Sequence, residues 1–341
     1  MITGFLGSGK TTLLNALLKH PGMAETAVII NEFGEIGIDH LLVEEAFEDT
    51  LLLNSGCLCC TIRGDIVDTL DRLHGQMSRG EIPPFRRAVI ETTGLADPAP
   101  VLQTLMTEAL VVNRFRVDGI VTTVDAANGL AQLDEYPEPV KQAAVADRIV
   151  LTKTDLVSAD EVQVLKKRLR DLNPAAPIFE VLNGRIEPDK LFDAGLFDPK
   201  KKTPDVQAWL RAEAYRDEED HANGHEKDHR RTHHDVNRHG DNIRAFCLTY
   251  EKPIPWEAFK AWLESIASVR GSDLLRMKGI VNIEGEDTPI VIHAVQHVFH
   301  PPTRLAAWPD NDHRTRIVFI TRNIDREPLE RTLRAFAEQA S

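Results

Sequence analysis

Cysteine is scarce in this chain. Only four occur among 341 residues, and three of them crowd together at Cys57, Cys59 and Cys60. Such crowding is a poor disulfide framework. It leaves a metal or redox site in a reducing compartment as the chemistry to expect. No run of about eighteen apolar residues is present, so nothing is expected to span a membrane. No apolar h-region precedes the first motif, so no signal peptide is read. Positive charge is in deficit: 40 Lys and Arg stand against 53 Asp and Glu, a net charge of −13. That disfavours general nucleic-acid binding, which needs a basic footprint. No internal repeat is visible. What remains is an ordinary soluble, cytoplasmic composition, with 42% apolar residues and a length that suits two domains.

The stretch GFLGSGKTT, Gly4 to Thr12, fits the pattern G-x-x-x-x-G-K-[ST] through Gly4, Gly9, Lys10 and Thr11. Glycines such as Gly4, Gly7 and Gly9 let backbone N–H groups converge on phosphate oxygens without a Cβ in the way. Ser8 and Thr12 complete the loop. The helix that follows aims the positive end of its dipole at the same anion. Lys10 is expected to reach the β- and γ-phosphates, and the Thr11 hydroxyl to hold Mg²⁺. Only Met1, Ile2 and Thr3 precede Gly4. Strands typically run about five or six residues, so the expectation is a clipped strand or a start further upstream.

Short apolar runs alternate with helical patterns. Strands are expected at 27–31, 50–54, 87–92, 118–125, 147–153 and 177–182. Helices are expected over 63–78, 98–112, 140–146 and 160–172. Apolar strands alternating with helices predict an α/β fold with a mostly parallel, doubly wound sheet. Ligands in such folds sit beyond the carboxyl ends of the strands. Residues 183–207 read as a domain exit rich in Gly, Pro, Asp and Lys. Residues 217–241 are polar and crowded with histidine, and disorder is expected there. From Ile243 onward, a strand–helix–strand–strand–strand–helix pattern predicts a smaller α+β unit with helices on one face of its sheet.

Further candidate residues stand at strand ends. Glu91 closes one strand and is followed by Thr92, Thr93 and Gly94. Glu91 suits an acid that holds Mg²⁺ through water or orients an attacking water, and the Gly94 N–H suits a γ-phosphate contact. The loop NEFGEIGID offers Glu32, Glu35 and Asp39 as ligands for Mg²⁺ or water, or as plain solvated acids. The catalytic candidates are therefore Lys10, Glu91 and Asp39. At the end of the strand over 147–153, Asp155 of LTKTD can accept the guanine N1–H and 2-amino group, which adenine lacks. The Lys153 stem can lie against the base. Thr152 stands where Asn is commoner and offers fewer bonds to brace the loop. Asn183, one strand later, is placed to complete the base pocket.

Thiolates at Cys57, Cys59 and Cys60 suit Zn²⁺, Cu⁺ and similar ions. They converge only if the backbone bends, because Cys59 and Cys60 would face opposite ways in a regular strand. Buried inert cysteines and a redox sensor are the alternatives. His221, His225, His229 and His233 recur every fourth residue. They read as a flexible metal-gathering tether or as a solvated linker.

Together, GFLGSGKTT, NEFGEIGID, GCLCC, ETTGLADP and LTKTD resemble the CobW-type metallochaperone GTPases, of the same broad class as the nickel-inserting GTPases of urease and hydrogenase maturation. The resemblance extends over nearly the whole chain. It implies a P-loop GTPase domain over 1–207, a His-rich linker over 208–242 and a CobW-like α+β domain over 243–341. It further implies GTP and Mg²⁺ at Gly4–Thr12 and Thr152–Asp155, and metal at Cys57, Cys59 and Cys60. The metal implied is Zn²⁺, with Co²⁺ as the alternative, passed to a client metalloprotein. With no arginine finger or catalytic Gln in view, slow hydrolysis stimulated by a partner or a homodimer is expected. The alternatives are cobalt delivery for corrinoid synthesis or nitrile hydratase, a metal buffer or sensor without coupled hydrolysis, and a P-loop kinase acting on a small molecule.

Overall fold

The computed structural model describes residues 1–31, 51–52, 58–62, 66–192, 243–296 and 298–339. These fall into two compact units. In the first, the strands are β1 (Ile2–Gly4), β2 (Thr26–Asn31), β3 (Leu51–Leu52), β4 (Leu58–Ile62), β5 (Arg87–Glu91), β6 (Val121–Asp125), β7 (Arg148–Thr152) and β8 (Ile178–Val181). They form one sheet in the order β3-β4-β2-β5-β1-β6-β7-β8. The β3–β4 pair is antiparallel and the other pairs are parallel. From β1 the sheet grows one way through β5 and β2 and the other way through β6 to β8. The carboxyl ends of β1, β5, β6 and β7 therefore border a topological switch point, where such sheets take ligands.

Both faces of the sheet are covered. Helix α1 (Lys10–Leu18) buries Leu13, Leu14, Leu17 and Leu18 along one stripe, against Val28, Val89, Val121 and Val150. Helix α2 (Ile66–Ser78) buries Ile66, Val67, Leu70 and Leu73 against Ala27, Ile29 and Ile90 on the other face. Successive residues of β2 and β5 thus alternate between two cores, as the strand period of two requires. Each fully buried Leu contributes about 1.5–3 kcal/mol.

The remaining helices are α3 (Pro98–Thr107), α4 (Ala109–Val112), α5 (Gly129–Glu135), α6 (Pro137–Val145) and α7 (Ala159–Leu172). The single helix predicted over 98–112 breaks at Glu108, whose backbone is extended (φ −71°, ψ 118°). Helix α5 carries too short a pattern to read from sequence. The strand predicted over 50–54 is a two-residue edge strand antiparallel to β4. The cysteine segment itself supplies β4, a strand the apolar runs did not reveal, because Cys behaves as a small hydrophobe that a pleated sheet accepts.

The second unit is an antiparallel sheet of β9 (Ile243–Tyr250), β10 (Leu274–Val281), β11 (Ile290–Val295), β12 (Val298–Phe299), β13 (Thr303–Arg304) and β14 (Thr315–Arg322), in the order β12-β11-β10-β14-β9 with β13 beside β11. Helices α8 (Trp256–Arg270) and α9 (Arg326–Gln339) share one core with it: Phe259, Trp262, Leu329 and Leu333 pack with Phe246, Met277 and Phe319. The α+β expectation holds, with helices on one face. The third strand of the predicted pattern, PIVIHAVQHVFH over 289–300, is instead a hairpin. Gln296 takes a left-handed φ of 52°, and β12 folds back so that Ala294 faces Phe299. His293 consequently lies near His300, with ring centroids 6.1 Å apart. His297 lies outside the described residues.

Candidate nucleotide site

The loop between β1 and α1 is shaped by glycine. A Cβ on Gly4 would come within 2.5 Å of the Thr123 carbonyl oxygen, and Gly9 caps α1 in the left-handed region at φ 89°. Gly9 has no side chain to occupy the first-turn N–H groups, so these are left for an anion. Gly7 is also left-handed, at φ 70°. Buried Ser8 shares a 2.6 Å hydrogen bond with Thr123 of β6. Lys10 Nζ donates to the carbonyls of Gly4 (3.0 Å) and Phe5 (3.2 Å), folded over the loop where phosphate oxygens would otherwise be its acceptors.

Of the partners predicted from sequence, Glu91, Gly94 and Thr152 adjoin this loop. Thr11 Oγ1 donates to Glu91 Oε1 at 2.8 Å, and Glu91 is buried at the end of β5. A hydroxyl beside a buried carboxylate is a hard oxygen donor set of the kind Mg²⁺ takes. Thr92 ties the same strand end to β1, its N–H to Ile2 O at 3.0 Å and its hydroxyl to Thr3 Oγ1 at 2.9 Å. Gly94 abuts the loop: a Cβ there would lie 2.7 Å from Leu6 N. Thr12 lies in the first turn of α1, where its carbonyl oxygen would meet a Cβ on Gly184 at 2.6 Å. Only glycine allows that approach, and it sets Asn183 (φ 51°) at the β8 end of the site.

Thr152 does brace the loop. Its hydroxyl donates to Ser8 O at 2.8 Å, with Val124 O as a second acceptor at 3.2 Å. Lys153 is left-handed (φ 56°), and its ammonium is held by Asp125 at 2.8 Å. Asp155 follows on an exposed one-turn 3₁₀ helix, Thr154–Leu156. Sequence reading missed Asp125, although an acid ending an apolar strand was the available signal. Burial pushes the Asp125 carboxyl up, but hydrogen bonds from Lys153, Asn128 and the Ala127 N–H outweigh it and hold the group below the usual carboxylate range. An ionised Asp125 fixes the Lys153 stem next to Asp155.

Of the metal candidates, Cys59 and Cys60 are successive residues of β4, in register with Val28 and Ile29. Their backbone runs as strand there, and the bend predicted for the cysteines does not fall between them. Cys57, Glu32, Asp39, His221, His225, His229 and His233 lie outside the described residues, as does the 208–242 linker. Among the described residues, no group of three or more His, Cys, Asp and Glu is arranged to hold a metal, and no helix is long and apolar enough to cross a membrane.

Comparison with known proteins bears on this arrangement. Residues 1–180 match the CobW/HypB/UreG nucleotide-binding domain, and residues 243–337 match the cobalamin synthesis protein cobW C-terminal domain. The chain is 30% identical over 329 residues to the zinc chaperone YjiA of Escherichia coli, covering 96% of this chain and 95% of that one. It is 35% identical over 194 residues to the zinc-regulated GTPase metalloprotein activator 1 of Schizosaccharomyces pombe, covering 55% of this chain and 46% of that one. The crystal structure of Zn(II)-bound YjiA GTPase from E. coli superposes with a TM-score of 0.71 at 28% identity, covering 98% of this chain and 97% of that one.

Proposed function

This chain belongs to the CobW/HypB/UreG nucleotide-binding family, and from that premise we propose that it is a GTP-hydrolysing metallochaperone of the cytoplasm. It would couple GTP turnover to the binding and transfer of a divalent metal, Zn²⁺ in the first place, to a client metalloprotein. The relatives named as zinc chaperones support Zn²⁺ over Co²⁺. Residues 1–207 would be the GTPase domain, 208–242 a metal-gathering tether and 243–341 the C-terminal domain.

The observation that carries the reading is that the glycine-rich loop is joined to Glu91 on one side and to Thr152, which leads into Lys153–Asp155, on the other. The loop N–H groups and Lys10 would hold the phosphates. Thr11 and Glu91 would hold Mg²⁺, which supplies charge neutralisation at the β- and γ-phosphates. Lys10 must leave the Gly4 and Phe5 carbonyls to reach those phosphates. Glu91 or Asp39 would orient the attacking water. Asp155 would accept the guanine N1–H and 2-amino group, with Asn183 closing the pocket. Cys57, Cys59 and Cys60 would bind the metal as thiolates, so loading should release protons. The cysteine segment runs as β4 beside β2, and Glu32 and Asp39 follow β2 in the sequence. Ordering of the 31–39 segment by GTP would therefore reach the thiolates through a neighbouring strand.

Phosphate release from GTP and from ATP, with and without Zn²⁺, tests the reading. GTP should be turned over slowly and ATP far more slowly. Equal use of both nucleotides would remove the guanine assignment, and no turnover of either would leave a metal buffer with a nucleotide site.

A further inference from the structure

Gln142 on α6 is completely buried. Its amide nitrogen donates to two carbonyls, Gly94 O and Ala96 O, each at 3.1 Å. Its amide oxygen is also buried and has no partner among the described residues. Its own carbonyl accepts the Thr122 hydroxyl at 2.8 Å, which anchors this turn of α6 to β6. The preceding residue acts on the same segment. Lys141 donates to Asp97 at 3.2 Å, and Asp97 caps α3 by accepting the Ala99 N–H at 3.0 Å.

Two successive side chains of α6 thus grip the stretch Gly94–Asp97, while Thr92 ties its start to β1. Held this way, Gly94 is pressed against the phosphate loop so closely that a Cβ would lie 2.8 Å from Leu6 Cα. Filling space alone does not account for a glutamine here. An apolar side chain of similar length would fill the site without burying an unpartnered amide oxygen. The donor end of the amide is what the position uses.

We infer that Gln142, with Lys141, is a positioning residue that presets the segment after β5 against the phosphate loop, so that discrimination between GTP and GDP depends on α6. The inference rests on the GTPase reading above. On that reading the Gly94 N–H would meet the γ-phosphate, which GTP has and GDP lacks. Losing the grip of α6 therefore weakens GTP selectively.

The test uses the full-length chain with Gln142→Met, which keeps length and apolar volume but removes both donated hydrogen bonds. Lys141→Met is the second variant, since Lys141 lies nearer the surface and its loss leaves the core packed. Affinities for fluorescent GDP and for a non-hydrolysable GTP analogue are measured, with KM for GTP. Gln142→Met is expected to weaken the GTP analogue about tenfold with GDP within twofold, and to raise KM. Lys141→Met should move the same way by about two- to fourfold, and it keeps the test alive if Gln142→Met fails to fold. Equal shifts for both nucleotides, or none, would overturn the inference while the GTPase reading stands. If the wild type binds neither nucleotide, the GTPase reading itself fails and the inference goes with it.

Discussion

Replacing Thr152 with Val tests the loop geometry most sharply. The hydroxyl of Thr152 holds the Ser8 carbonyl at 2.8 Å. In a planar trans peptide the C=O and the following N–H point opposite ways. Anchoring Ser8 O toward β7 therefore aims the Gly9 N–H into the loop, where a phosphate would be its acceptor. Val keeps the shape on the Gly9 side, where a Cβ built on Gly9 would lie 3.4 Å from the Thr152 Cγ2. What it removes is the proton that fixes this peptide plane. The bond is worth about 0.5–1.5 kcal/mol net. A peptide free to turn its carbonyl toward the anion loses that much binding, about 2- to 13-fold in affinity. Thr152→Ser retains the hydroxyl and should stay within twofold of wild type. The assay is titration with fluorescent GDP, with thermal unfolding run alongside. Stability should also fall, by roughly 2–4 °C per kcal/mol for a domain of this size. If Thr152→Val binds GDP as tightly as Thr152→Ser, the bond does not orient the loop and the argument fails.

Gly184→Ala should be destabilised by roughly 2–4 kcal/mol in chemical denaturation, from left-handed strain and overpacking together, because its Cβ meets Thr12 O at 2.6 Å and Ala16 Cβ at 2.7 Å; an unchanged midpoint would refute the contact. Burial pushes the Cys247 thiol up to about 11 against an ordinary value near 9, despite nearby arginines. The native state then keeps its proton where the unfolded state loses it, so stability is full below pH 9 and falls as pH rises toward 11, by about 3 kcal/mol. Cys247→Ala should flatten that slope in urea titrations, and identical slopes would remove the assignment. Asp125 behaves in the opposite sense: its depressed carboxyl contributes stability above the ordinary carboxylate range and loses it on acidification, and Asp125→Asn should reduce acid sensitivity in a low-pH melt.

Sequence made the phosphate loop legible because its chemistry is local. Glycines, Lys10 and Thr11 must follow one another to build one turn and one helix start. The parallel sheet was legible because apolar runs and helical periods alternate. Contacts that join distant segments were not. Thr152 to Ser8, Lys153 to Asp125 and Gln142 to Gly94 span many residues, and nothing in the spacing announces them. That Thr152 offers fewer bonds than Asn could be read from its side chain, but that its hydroxyl reaches the Ser8 carbonyl could not. The hairpin at Gln296 was missed because a left-handed glutamine carries no turn signal. The break at Glu108 lies in an unbroken helical pattern, and beyond it Val111 of α4 joins the core that α2 lines.

The central claim is that nucleotide and metal sites are coupled. Zn²⁺ affinity measured by chelator competition, with GTP–Mg²⁺, with GDP and without nucleotide, tests it directly for wild type and Cys59→Ser. The account predicts that GTP tightens Zn²⁺ binding by about tenfold or more, which is about 1.4 kcal/mol of coupling, and that Cys59→Ser abolishes the difference. Zn²⁺ affinity that ignores the nucleotide in the wild type would contradict it.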